Sequence, residues 1–403
     1  MTAPSSRPAP GVVAQTVVSA AGVGVDALWS AVIEGRSGLR QQPLPWCDLP
    51  TWIGAVPEVE SLAWPAAWQR RDCRNHRLAW LALRDAPFEQ AVARAVAEHG
   101  AHRVGLVLGT STSGMRSTEL AYGTRQASGH WPEDFDFRAV HLSEASSRFV
   151  AERLGLQGPL ATICTACSSS AKAFLTARRW LHSGIVDAVV VGGVDSLCLS
   201  TLHGFDSLQL LSDEPCRPFD AARRGISIGE AAGFVLLTLD EAPLQLLGGG
   251  ETSDAWHMST PHPQGEGARD AMQAALAMAG LSPQDIQHVN AHGTATPAND
   301  RSEAAALNAV FGRAGVTVAS TKGVTGHTLG AAGIVEAIVA LQCLARQALP
   351  PSAQLHTPDT ELGLHLLQQP VFGPLRHVMS NSFGFGGSNC ALVFGSAQAG
   401  VAR

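Results

Sequence analysis

Leu160–Ala161–Thr162–Ile163–Cys164–Thr165–Ala166–Cys167–Ser168–Ser169–Ser170 is the stretch on which the reading of this chain turns. Leu160 to Ile163 is a short apolar run with strand character, and a helical pattern opens at Ser168, directly after Cys167. A thiol on such a strand-to-helix turn faces the positive end of the helix dipole. That position favours thiolate over thiol and leaves backbone N–H groups nearby to receive an oxyanion. Two histidines far downstream, in His292–Gly293–Thr294–Ala295–Thr296 and Gly326–His327–Thr328–Leu329–Gly330, offer partners. A cysteine served by two distant histidines points to acyl transfer.

Strand-like and helix-like segments alternate on both sides of this stretch, which predicts an α/β fold with a largely parallel sheet covered by helices. Strands are expected over 12–21, 103–109, 187–192 and 233–239, with helices over 25–34 and 168–182. Helical periodicity over 74–99 is interrupted by Pro87. The turn residues Glu241 to Pro243 predict a boundary near residue 245, so that a first half, 1–245, carries the cysteine and a second, 246–403, carries both histidines. Past the boundary the plan repeats: helices over 267–279, 302–311 and 331–347, strands over 287–290 and 316–320, and a hairpin-like pair over 377–381 and 390–395. Both halves place a functional-looking loop at the C-terminal end of a strand, where open α/β sheets bind ligands.

Composition narrows the function. With 403 residues, 45% hydrophobic and 15% charged, the chain suits a compact enzyme with a large core. A net charge of −6 without a basic block argues against nucleic acid. The Pro- and Ser-rich start, residues 1–11, lacks the order of a signal peptide, and no apolar stretch approaches the roughly 20 residues of a membrane span. Eight scattered cysteines lack the density of a disulfide scaffold. A soluble, cytoplasmic protein is expected.

Each candidate has a bland alternative. Most cysteines are inert packing, but small Ala166, three serines and the helix start favour a nucleophile at Cys167. Cys164 and Cys167 form a C-x-x-C that lacks the companion ligands of a zinc site, so no metal is expected and Cys164 is read as facing the core. His292 and His327 each adjoin a glycine near a predicted buried strand. Their N–H groups would stabilise charge on a thioester oxygen. Lys322 is either a solvated residue or one that orients this site and adjusts histidine protonation. Glu336 is either a counter-charge for the site or an exposed helix residue. In Asn381 to Asn389 three glycines surround Phe385, giving inward amides and a ring free to swing.

Taken together, Thr165–Ala166–Cys167–Ser168–Ser169–Ser170, Arg217–Pro218–Phe219–Asp220, Gly229–Glu230–Ala231–Ala232–Gly233, Val289–Asn290–Ala291–His292–Gly293–Thr294, Thr321–Lys322 with Thr325–Gly326–His327, and Asn381 through Asn389 resemble the decarboxylating β-ketoacyl-acyl-carrier-protein synthases. The resemblance covers most of the chain, in the expected order. It implies a thiolase-like fold of two similar halves, with mixed sheets and helices in layers, and an acyltransferase without a cofactor. It casts Cys167 as nucleophile, His292 and His327 as promoters of malonyl decarboxylation, and Lys322 as their support. The N–H groups of Cys167 and Phe385 would form the oxyanion hole, Phe385 would gate the acyl tunnel, and Thr294 and Thr296 would hold the phosphopantetheine arm. The implied partners are acyl- and malonyl-loaded carrier protein and either an identical or a related ketosynthase subunit. Arg70, Arg71, Arg74 and Arg77 resemble the family's carrier-docking region or are an ordinary solvated helix start. Relatives primed from coenzyme A esters carry asparagine at the place of His327, and chain-length-factor subunits lack the cysteine. A non-decarboxylating thiolase or acyltransferase, and a tunnel-shaping partner subunit, are the alternatives. The stretch between Gly114 and Leu154 and the opening strand depart from the family pattern, so chain-length preference does not carry over. Elongation of fatty acids and a dedicated polyketide or polyene pathway are both compatible with the motifs.

Overall fold

In the computed structural model, residues 8–41 and 44–397 are described; residues 1–7, most of the Pro- and Ser-rich start, lie outside the described residues. Ten strands carry the architecture: β1 (Gly11–Ser19), β2 (Val104–Gly109), β3 (Leu160–Ile163), β4 (Ala188–Asp195), β5 (Ala231–Thr238), β6 (Leu244–Ser253), β7 (His288–Asn290), β8 (Thr317–Ala319), β9 (His377–Gly384) and β10 (Ser388–Ser396). With the short strands Gly22–Val23 and His365–Leu366 they form one 12-stranded mixed sheet. Its order reads β3-β2-β4-β5-β1, then β6-β10-β9-β7-β8. The first five strands and the second five therefore follow the same 3-2-4-5-1 scheme, meeting where Gly11 of β1 pairs with Gln245 of β6. β2 pairs in parallel with β3 and β4, as β7 does with β8 and β9, while β5 and β10 are antiparallel to their neighbours. The expected largely parallel sheet is thus a mixed one.

Helices cover these strands. Arg74–Ala82 and Ala86–His99 replace the single periodic run, divided where Asp85 caps the second helix and Pro87 occupies its first turn. The helices that place the site are α1 (Ser169–His182), α2 (Leu199–Ser207), α3 (Glu266–Ala279), α4 (Pro297–Phe311) and α5 (Ala332–Arg346). α5 is buried without a break from Ala332 to Leu344. The segment Leu329–Arg346 is long and apolar enough by composition to cross a membrane, though Glu336 and Gln342 interrupt it, and it is 89% buried, as a core helix is.

β6 was not expected as a strand. It carries Gly248–Gly249–Gly250, and a Cβ at Gly250 would lie 2.1 Å from the carbonyl oxygen of Ala271 in α3. The glycines here admit a helix directly onto the strand. α4 also begins earlier than expected, because Thr296 caps it, accepting the Asn299 N–H at 3.2 Å, and Pro297 opens it. Asp300, brought into the helix by that earlier start, and Glu303 are both buried. The C-terminal hairpin is longer than expected and includes the whole Gly-rich turn.

Two helix starts are pressed together at the centre. Gly333 near the start of α5 lies so close to α1 that a Cβ there would come within 2.5 Å of the Ala171 nitrogen. The Ile334 N–H donates to Ser170 Oγ at 2.9 Å. Cys167 precedes α1 and His327 precedes α5, so this contact sets their separation.

Candidate active site

Cys167 occupies a strained turn. Ala166 before it has φ +51, a left-handed conformation uncommon outside glycine. The turn is tied by Ser169, whose Oγ accepts from the Thr165 N–H at 2.9 Å and donates to the Ala166 carbonyl at 2.6 Å. The Cys167 sulfur lies 2.9 Å from His327 Nε2. The His292 and His327 rings are 5.3 Å apart, nearly perpendicular. All three side chains are buried.

Lys322, which is 1% exposed, joins this group as a buried cation. Its ammonium lies 3.3 Å from His292 Nδ1, donates to the His292 carbonyl and pairs with Glu336. Of the two readings of Glu336, the buried counter-charge is the one observed: Ser382 also donates to it at 3.4 Å. Burial pushes the Glu336 carboxyl up to about 7, against the opposing pull of Lys322. An ammonium can only donate, so His292 Nδ1 is the acceptor and the ring proton resides on Nε2. Burial first, and the Lys322 charge second, hold both imidazoles well below their ordinary value. Both rings are therefore neutral at physiological pH. Glu303, not recognised from the sequence, accepts the His292 and Gly293 N–H groups at 2.8 Å each and fixes that loop. The Thr296–Pro297 helix start was the signal that could have found it.

One sequence expectation is reversed. Burial pushes the Cys167 thiol up to about 11, while Lys322 and a hydrogen bond from the Phe385 backbone pull the other way. Desolvation outweighs the helix start, and the resting group is a thiol beside a neutral base. Alkylation by iodoacetamide, followed by mass spectrometry, should accordingly keep accelerating above pH 9. A plateau below pH 8 would contradict this.

Two cavities meet at the sulfur. One, of about 150 Å³, is lined by Cys167, His292, His327, Thr294, Thr296 and Phe385. The other, of about 330 Å³ and mainly apolar, runs from Cys167 past Phe205, Leu208 and Leu329. Phe385 borders both and its ring packs 5.4 Å from that of Phe205. Thr294 and Thr296 are buried with their hydroxyls 3.2 Å apart. Among the described residues the donor atoms of Cys167, His292 and His327, within 4.8 Å of one another, are also the group that could share a metal ion. The adjacent Lys322 ammonium opposes a second cation there.

One other expectation is corrected. Cys164 is exposed, because β3 is the sheet's outer strand and leaves its end uncovered. The arginine cluster is largely engaged within the fold: Arg74 pairs with buried Glu230 at 2.6 Å, Arg77 pairs with Asp72 at 2.6 Å, and Arg71 meets Glu152.

The family models for the β-ketoacyl synthase N-terminal and C-terminal domains match residues 73–242 and 245–356. 3-Oxoacyl-[acyl-carrier-protein] synthase 2 from Staphylococcus aureus is 34% identical over 314 residues, spanning 74% of this chain and 78% of that protein. The chain belongs to the β-ketoacyl synthase family. The synthase 2 protein from Coxiella burnetii is 32% identical over 407 residues, covering 94% of this β-ketoacyl synthase and 96% of its relative. Among solved structures, the ketosynthase ApeO in complex with its chain length factor ApeC from Xenorhabdus doucetiae matches this ketosynthase with TM-score 0.89 and 37% identity, over 98% of this chain and 100% of that one. The ishigamide ketosynthase/chain length factor matches with TM-score 0.86 and 26% identity, over 97% and 100%. The fold is accordingly thiolase-like, and the protein is an acyltransferase.

Proposed function

We propose that this β-ketoacyl synthase carries out decarboxylative Claisen condensation between an acyl group on Cys167 and malonyl-loaded acyl carrier protein. The observation that carries this reading is the Cys167 sulfur 2.9 Å from His327 Nε2, with neutral His292 beside it, at the junction of two cavities.

The thiol proton passes to His327 Nε2 as the sulfur attacks the acyl thioester. The carbon–sulfur bond to the carrier's arm breaks, and the departing thiol takes up the proton. The N–H groups of Cys167 and Phe385 would receive the oxyanion. With the acyl chain in the apolar cavity, malonyl thioester enters along Thr294 and Thr296. Its carboxylate leaves as CO₂, and the electron pair of that bond forms an enolate whose oxygen takes N–H donation from His292 Nε2 and from His327, which no longer accepts from the acylated sulfur and can carry its one ring proton on Nε2. The enolate carbon attacks the acyl carbonyl, the new carbon–carbon bond forms, and Cys167 leaves as thiolate and takes up the one proton that the overall reaction consumes, from solvent. Lys322 would keep the His292 proton on Nε2.

The names of the curated relatives support carrier protein as the acyl and malonyl donor. The solved complexes support a related subunit as a partner beside the homodimeric option. Leu120, Tyr122, Trp131, Phe137 and Leu160 are exposed and leave apolar surface that a partner subunit of either kind could cover. We also read 1–245 and 246–403 as two related halves, and place the reaction in the cytoplasm. Mass spectrometry after incubation with a panel of acyl carrier proteins tests the function: the retained mass on Cys167 reports the acyl class. His327→Asn should still become acylated, but more slowly because the base for the thiol proton is gone, and should lose most CO₂ release from malonyl carrier protein. Acylation without any CO₂ release from the parent protein would favour a non-decarboxylating thiolase or acyltransferase, equal release in both proteins would remove His327 from decarboxylation, and a thiol that never acylates would favour a partner subunit.

A further inference from the structure

Asp195, at the C-terminal end of β4, is a fully buried carboxylate with no ion-pair partner among the described residues. Five donors converge on it. The Thr110 and Thr112 hydroxyls and the Ser111 and Thr112 N–H groups each reach one of its oxygens at 2.8 Å. The Gly330 N–H reaches the other at 2.6 Å. Ser111 and Thr112 form one wall of the apolar cavity, and Leu329 forms another. Leu329 holds φ +55, a left-handed backbone that a branched, bulky residue rarely adopts. A side chain at Gly330 is barred, since a Cβ would sit 2.7 Å from Asp195 Oδ2. Three residues before Gly330 is His327.

We propose that Asp195 is a positioning residue that makes the aim of His327 depend on whether the acyl cavity is filled. The inference rests on the ketosynthase reading above. One carboxylate fastens two cavity walls to each other and to the loop that presents His327. An acyl chain entering between Thr112 and Leu329 must press on that joint. The strained Leu329 backbone is the place where the loop has a second conformation to move to. His327 holds the thiol while the cavity is empty and turns towards the malonyl thioester once the cavity is occupied. Loss of the joint leaves the wall movement uncoupled from the ring.

The test uses the full-length protein and two measurements: the rate of Cys167 acylation from a hexanoyl carrier protein, and CO₂ release from malonyl carrier protein before and after that acylation. In the unsubstituted protein, acylation should accelerate CO₂ release. Asp195→Asn replaces acceptor capacity with a donor that faces the same N–H groups. It should slow acylation less than about threefold and lower CO₂ release from the acylated protein at least about tenfold, with the acceleration gone. Thr110→Val removes one hydroxyl at nearly constant volume and should give a smaller loss of the same kind; it decides the matter if Asp195→Asn does not fold. Equal slowing of both steps, or an intact acceleration in a folded variant, would overturn the proposal alone. If the unsubstituted protein released no CO₂, the ketosynthase reading would fall, and this inference with it.

Discussion

Cys167→Ser should lower acyl transfer by roughly 10³-fold or more, while malonyl carrier protein continues to lose CO₂ within about tenfold of the rate on the unacylated parent. The two outcomes separate because the steps use different atoms. Acylation needs a sulfur that gives up its proton to His327 Nε2 across 2.9 Å, and a serine hydroxyl is far less acidic in the same desolvated position. Decarboxylation needs N–H donors against an enolate oxygen, and His292 retains its Nε2 proton because Lys322 occupies Nδ1. Covalent acyl mass and CO₂ release, measured on the same sample, distinguish the two. Loss of both to the same degree would mean that the sulfur itself takes part in decarboxylation.

Lys322→Met should be the most destabilising single change at this site. The pair with Glu336 has side-chain exposures of 1% and 3%, so removing the cation leaves the Glu336 carboxyl, already pushed up to about 7, buried without its partner and obliged to take up a proton, at a cost of up to about 3–5 kcal/mol. Chemical denaturation should show that Lys322→Met with Glu336→Gln recovers most of this. Activity should not recover with stability. The Lys322 charge helps to depress both imidazoles, so without it their protonation begins at higher pH. The sign follows: the folded-state value rises towards the ordinary one, and the acid limb of the pH–rate profile moves upward. Condensation near neutral pH should fall by about 10²-fold, the usual size of an acid–base contribution. An unshifted acid limb in the folded double variant would remove Lys322 from any role in histidine protonation.

The site was legible where chemistry is written in local residue types. The Thr165–Ser170 run, the two glycine-flanked histidines and the Phe385 loop announce themselves because turns and close approaches demand small residues there. What escaped notice depends on distant partners. The acidity of Cys167 was misjudged since the local helix start is visible in sequence and the surrounding burial is not. Arg74 reads as solvated until Glu230, 156 positions away, is seen to hold it. β6 was lost because its glycines, which serve the contact with α3, erase the alternation that marks a strand. Glu303 and Asp195 act on backbone N–H groups of loops; the Thr296–Pro297 helix start hints at the first, and nothing local marks the second.

The sulfur and its closest imidazole come from positions 160 residues apart, brought together by the starts of two helices that touch through Gly333. Such a contact has a high loop-closure cost and forms only when the surrounding chain is already in place. A compact but incompletely annealed molecule can have every strand paired and still show no reactivity. The fraction of chains that accept one acyl equivalent per molecule thus counts those that have finished folding, and it does so more stringently than circular dichroism or elution volume.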